Sequence, residues 1–526
     1  MMKKMLALAL CSVLCVAILH AQSKVFKEVS DEISSQMRVI TQDDALIGYL
    51  AFTRLEKASE DSFNYKISIM DENLNDMGSV NFREENLDLK AVSFEQDVLC
   101  LAYIKSNVIG NNYQNFKAYQ RAADKAKHAV VTQFINLQGK ILQTNAYNVA
   151  ITTTETYGYT GSTFNAHVAT GTLKHSLQLK NIGQKGFVCF YGDKNVNNLM
   201  SFSPSGKELW KTVVTDSKAF ALLTSGADVY LLSKDEDKML EGGYKVVGYN
   251  SFDGKDFAKH LLKDKKGNSL KVLDFENDPL SSKPVLTGYI INNSHGNKYG
   301  TAGHVTRGTY DGVFSVALNG HSKGEIKEIY SYWSDGTQSP SITSRGKFAE
   351  NESYPRFSET VRDEKGNTYF IGSSFIKKTK WGAIGAAVVL APLIVVSPMM
   401  IGLGGTQKYK VKDAMVLKQS ANGNLSFDNS IACDDTRFYP HRTPVSLVDT
   451  KSFYTVFNAN KKTSFLIVDD VKNIVIYNIN SKKVVRTVPH KDGQVRTNIF
   501  PAKEGYIMVS EYNKKEKYTK LSIETL

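Results

Sequence analysis

The sequence predicts an all-β chain built from a repeated four-stranded antiparallel unit. Three observations carry this prediction. The composition sets 26 Tyr and 26 Phe against 11 Pro, a balance that favours pleated, half-buried strands. A short apolar strand recurs eight times along the 526 residues. Gly-containing turns separate alternating apolar runs, and glycine takes φ > 0 without steric penalty, as tight hairpins require.

The recurrent strand is read at 45–50, 98–104, 187–191, 229–232, 285–291, 368–371, 453–457 and 506–509. A hairpin follows each of the first seven. These hairpins are 67–82 (turn near Gly78), 130–147 (Leu137-Gln138-Gly139-Lys140), 199–214 (Ser203-Pro204-Ser205-Gly206-Lys207), 246–262 (Phe252-Asp253-Gly254-Lys255), 313–332, 414–431 (Asn422-Gly423-Asn424) and 465–488. A weaker strand precedes each recurrent one, so the unit is four strands, a to d. Four-stranded antiparallel units in series resemble the blades of a β-propeller, here of an exported bacterial type. The resemblance lies in the repeat pattern and covers nearly the whole chain after its first residues. It implies eight blades, with seven as the alternative count. The last unit ends after a third strand near Lys517 to Ile523, and Val25 to Val29 is expected to supply the fourth and close the ring. Kelch-type Gly-Gly occurs only at Gly242-Gly243, and the three Trp are too few for WD repeats. Residues Phe202 to Trp210 are similar to a quinoprotein blade segment. The match occurs once, so no quinone or other cofactor is expected.

The first residues read as a leader. Lys3 and Lys4 precede an uncharged stretch from Met5 to Leu19, and Ala21 stands before Gln22. This is the pattern of a secretory signal peptide, 1–21. Its fifteen apolar positions fall short of the ~20 needed for a span. Leu10 and Leu14 precede Cys11 and Cys15, which argues against a lipid anchor. Residues 22–526 are then one propeller domain, expected in the periplasm, at the outer membrane or outside the cell. Without Lys3 and Lys4 the net charge falls from +12 to +10. That suits an envelope protein or an anionic membrane surface as partner, and export argues against nucleic acid. Cys100, Cys189 and Cys433 remain. The first two lie in apolar strands and read as buried free thiols, and zinc-ligand spacing is absent.

Antiparallel parity sorts the connections between strands. The a–b and c–d turns emerge on one face, and the b–c and d–a connections on the other. The long connections 106–127, 292–312 and 376–410 are of b–c type, and 152–174 and 334–356 of d–a type, so all share one face. Long loops on a rigid scaffold are where binding concentrates. Candidate ligand-binding residues on that face are Tyr157, Tyr159 and His167; His295, Tyr299 and His304; and Asp435, Arg437, Tyr439 and His441. Tyr113 to His128 reads as an amphipathic basic helix. No catalytic residue or metal ligand is assigned. Gly320-His321-Ser322-Lys323-Gly324 fits the nucleophile-elbow pattern, but the repeat register makes the following residues a strand on the short-turn face. The competing function class is a carbohydrate-active or other hydrolase or lyase, with carboxylates from different blades.

One insertion departs from the repeat. Trp381 to Gly405 is 25 residues without a charge, flanked by Lys377, Lys378 and Lys380 on one side and Lys408, Lys410 and Lys412 on the other. A single span would separate strands b and c of one blade, which must pair. Pro392 and Pro398 also interrupt a continuous helix. The segment is therefore expected to leave and return on the same side, dipping into a membrane leaflet, docking in a partner or folding back over the propeller. Its membrane- or partner-contact candidates are Trp381, Val388, Val389, Leu390, Leu393, Ile394, Met399, Met400 and Ile401.

Overall fold

The computed structural model describes residues 23–27, 34–42, 45–59, 62–107, 112–113, 116–123, 125–150, 164–165, 177–193, 196–214, 219–234, 244–278, 281–291, 310–335, 342–343, 346–349, 352–379, 407–432, 438–440, 453–458, 463–469, 472–490 and 494–526. Eight four-stranded antiparallel blades form a β-propeller ring. Blade 1 is Ser34–Gln42, Ala45–Lys57, Ser62–Asp71 and Asp76–Glu85, and blade 2 is Leu87–Glu95, Val98–Ser106, His128–Asn136 and Ile141–Val149. Blade 3 is Gln178–Ile182, Gly186–Asp193, Val196–Phe202 and Glu208–Val214, and blade 4 is Ala219–Ser225, Asp228–Lys234, Tyr244–Asn250 and Asp256–Leu261. Blade 5 is Leu270–Asn277, Pro284–Ile291, Tyr310–Leu318 and Ile326–Tyr332, and blade 6 is Tyr354–Arg362, Thr368–Thr379, Gln407–Gln419 and Leu425–Ala432. Blade 7 is Phe453–Asn458, Thr463–Asp469, Asn473–Asn478 and Lys483–Pro489. Blade 8 is Val495–Pro501, Tyr506–Asn513, Tyr518–Thr525 and, from the opposite end of the chain, Ser23–Lys27.

Burial explains why each strand takes its place. Second strands such as Val98–Ser106 are apolar on both sides and buried almost throughout, because each is covered by the blades on either side of it. Fourth strands such as Asp76–Glu85 alternate exposed and half-buried positions, as an outer strand with one solvated side must. First strands of successive blades contact one another around the axis.

The core is divided in the same way. Among the described residues each blade junction has its own apolar cluster. At the junction of blades 2 and 3, Phe134 stands 5.5 Å from Phe202 and 5.8 Å from Phe187, centroid to centroid. Ring closure has the same character: Tyr49, Ala51 and Met70 of blade 1 pack with Met508, Leu521 and Ile523 of blade 8. Each fully buried side chain of this size contributes roughly 1.5–3 kcal/mol, so no single junction dominates.

Two readings shift. In blade 7, Phe453–Asn458 is the first strand, not the second, and Thr463–Asp469 takes the second place. The sequence offers two adjacent apolar runs there, and only pairing decides between them. In blade 1 the turn lies at Glu72 to Asn75, and Gly78 sits inside the outer strand. Gly78 is instead required by contact, since a Cβ there would stand 2.3 Å from Leu137 O, in the c–d turn of blade 2. The closing strand runs Ser23–Lys27, two residues earlier than Val25 to Val29, and the basic helix is Phe116–Ala123.

Candidate functional face

The long connections converge on one face, and backbone pairing between them confirms it. Asn112–Tyr113, from the b–c connection of blade 2, pairs with Phe164–Asn165 from the connection between blades 2 and 3. Phe438–Pro440, from the connection after blade 6, pairs with Lys408 to Lys410. Beside the first of these miniature sheets lies the helix Phe116–Ala123, in which Lys117 and Arg121 are exposed. Lys125 and Lys127 just beyond it are exposed as well.

The most extended element of this face is the second hairpin of blade 6. Its strands Thr368–Thr379 and Gln407–Gln419 are 12 and 13 residues long. Beyond the register shift at Ser373 to Phe375, pairing continues through Phe375↔Val411, Ile376↔Lys410, Lys377↔Tyr409, Lys378↔Lys408 and Thr379↔Gln407. The hairpin thus forms a stem that outruns the blade. The two ends of the apolar segment leave from neighbouring strands at one level, which a single membrane span between them would forbid. Among the described residues no helix is long and apolar enough to cross a membrane.

A second cluster lies on the axis, midway between the faces. In blades 2, 4, 5 and 6 the first strand carries one extra residue, respectively Lys90, Phe220, Leu273 and Ser358, against its neighbour. Such bulges re-aim the side chains that follow. In blades 5 and 6 these are Asp274 and Glu359. Burial raises the pKa of Asp274, opposed by the Phe275 N–H, the Thr360 hydroxyl and the charge of Lys180. Burial also raises that of Glu359, opposed by Thr455 and reinforced by the charge of Asp274. Their oxygens are engaged. Thr455 donates to Glu359 Oε2 from its N–H at 2.8 Å and its hydroxyl at 2.9 Å. Thr360 Oγ1 donates to Asp274 Oδ2 at 3.3 Å and lies 2.6 Å from Thr287 Oγ1. The arrangement ties blade 5 to blade 6 and blade 6 to blade 7.

Other chemistry-bearing groups have structural employment. Ser322 Oγ donates to Glu325 Oε2 at 2.7 Å, while His321 Nε2 lies 2.8 Å from Asp228 Oδ2. The serine and histidine of the elbow-like pattern therefore serve different partners, in a c–d turn of the short-turn face. Cys100 and Cys189 are free and buried, and burial holds both thiols well above their usual pKa. Asp71, Asp264 and Asp363 each open a five-residue turn. Each accepts backbone N–H bonds from the second and fourth residues on and a side-chain bond from the closing asparagine. Carboxylates used in this way are turn formers.

Of the residues expected to bind a ligand, only Tyr439 falls on described backbone, where it pairs with Tyr409. Tyr157, Tyr159, His167, His295, Tyr299, His304, Asp435, Arg437 and His441 lie outside the described residues. So do Trp381, Val388, Val389, Leu390, Leu393, Ile394, Met399, Met400 and Ile401. The axial pair escaped the sequence reading. Its signal is the shared distance of Asp274 and Glu359 from the following second strand, which emerges only once the bulges are known.

The ring of eight blades and its one elaborated face define the protein as a β-propeller. All 526 residues match the family described as a family of unknown function (DUF6770), and the chain belongs to it. No curated protein matches it. Among solved structures it is similar to the WD40 domain of SCAP from fission yeast, at 9% identity over 95% of this chain and 98% of that one, with a TM-score of 0.39. It is similar also to the C-terminal WD40 domain of Sif2, at 9% identity over 95% and 99% with a TM-score of 0.40. A europium-containing methanol dehydrogenase follows at 8% identity over 96% and 92%, with a TM-score of 0.39. At these scores no activity transfers, and the fold rests on the chain's own sheet order.

Proposed function

We propose that this protein is an exported, non-catalytic binding scaffold of the bacterial cell envelope, held at a membrane by the segment 381–405. The observation that carries the reading is the stem. Pairing of Thr379 with Gln407 brings both ends of a 25-residue uncharged segment together on the face that bears the other long connections. A long paired stem is a costly way to hold an apolar segment that folds back on its own blade, and a natural way to present one to a bilayer. The remaining long connections then serve the partner. The hydrolase or lyase alternative would draw on Asp274 and Glu359, whose oxygens already engage Thr455, Thr360 and Phe275. The binding reading is therefore preferred. Cells producing the full chain are expected to retain it with membranes on fractionation, whereas replacing 381–405 by a short Gly-Ser linker should release it. Retention of the replaced variant on membranes overturns the reading.

A further inference from the structure

We infer that the membrane surface engaged by the stem is anionic, its lipid phosphates seated against the lysines of both strands. The inference rests on the membrane reading above and names the lipid chemistry of that same contact. Its basis is the register. Lys378 stands directly opposite Lys408, and the neighbouring pairs place Lys377 opposite Tyr409 and Lys410 opposite Ile376. Like charges directly opposite each other destabilise an antiparallel ladder, yet from 375 to 380 and from 407 to 412 there are six lysines and no acidic residue. The ladder holds no carboxylate to neutralise them. Because both strands meet the apolar segment at one level, the lysines form a collar at its base, where lipid phosphates lie if the segment enters a leaflet. A second basic element shares the face: exposed Lys117 and Arg121 on the helix Phe116–Ala123, with Lys125 and Lys127 beyond it. Juxtamembrane basic residues of this kind gain attraction from anionic lipid that decays within a Debye length.

The test is flotation of the purified chain with vesicles of phosphatidylcholine alone and with vesicles that also contain phosphatidylglycerol. The expected result is about tenfold or greater preference for the anionic vesicles, weakened by added salt and insensitive to inorganic phosphate at constant ionic strength. The quadruple variant K377Q/K378Q/K408Q/K410Q should lose that preference while keeping its binding to phosphatidylcholine. Unaltered circular dichroism and melting temperature would show that it folds. Equal binding of the parent chain to both vesicles, or an undiminished preference in the folded variant, overturns the inference and leaves the membrane reading standing. Failure of the parent chain to float with either overturns both. Competition by inorganic phosphate at constant ionic strength would replace the lipid headgroup with a soluble anion site.

Discussion

His128 opens the third strand of blade 2, its ring packed so that Nδ1 is buried without a hydrogen-bond partner. Burial pushes its pKa down to about 4. The unfolded chain holds an ordinary imidazole near 6.5. Above about pH 6.5 the group is neutral in both states and contributes no pH dependence. As pH falls from there towards about 4, the unfolded chain takes up a proton that the folded one refuses, so stability declines across that window. The variant His128→Leu should show a shallower loss of melting temperature between about pH 7 and pH 4.5 than the parent. Parallel profiles would remove the histidine from the account. Arg362 illustrates the opposite case, a charge that burial makes necessary. Its Nε donates to Asp278 Oδ2 at 2.8 Å and its Nη1 to Ser315 Oγ at 2.8 Å, with both members of the ion pair only 9% exposed. Breaking such a pair from one side costs about 3–5 kcal/mol, because the partner charge is left buried.

The strand Ser23–Lys27 is the element on which ring closure depends. It completes blade 8 through five consecutive partners, from Ser23↔Ser522 to Lys27↔Tyr518, and Phe26 packs against the cluster joining blades 8 and 1. Deleting residues 22–30 should lower the melting temperature by several degrees and promote association, since an unpaired edge is exposed. An unchanged melting temperature and monomer content would count against this closure. Most elements were legible in the sequence because their causes are local. Gly139 and Gly206 take positive φ in the predicted hairpin turns, and Val98 to Ile104 is apolar enough to be recognised alone. What was not legible has non-local causes. Gly78 serves an approach to blade 2, and the bulges at Leu273 and Ser358 exist only relative to a neighbouring strand. In blade 7, two adjacent runs of similar character competed for one place. The loops carrying the named ligand candidates lack periodicity altogether, so sequence identified where they emerge and little of what they do.

Across the whole molecule, polar contacts reinforce the apolar junctions. Tyr49 OH donates to Pro501 O at 2.8 Å between blades 1 and 8, Asn181 Nδ2 donates to Glu95 Oε2 at 3.1 Å between blades 3 and 2, and Trp210 Nε1 donates to Ser251 O at 2.7 Å between blades 3 and 4. Parity around this ring fixes where the chain enters it. The fourth strand of every blade starts on the short-turn face, so Ser23, the first residue of the last blade's fourth strand, lies there. Leu526 lies there as well, its N–H bonded to Gly505 O. The blade 6 stem projects from the opposite side. A leader of residues 1–21 would therefore moor the ring by its back while the stem pointed away from that bilayer. With one residue between the expected cut and Ser23, there is no slack for the ring to turn over. Processing then acts as a release catch that frees the propeller to reorient. A variant blocked at Ala21 by a bulky substitution should remain membrane-bound even when 381–405 is replaced, whereas the cleavable chain carrying the same replacement should be released. Release of the uncut, replaced chain would show that the leader is no mooring.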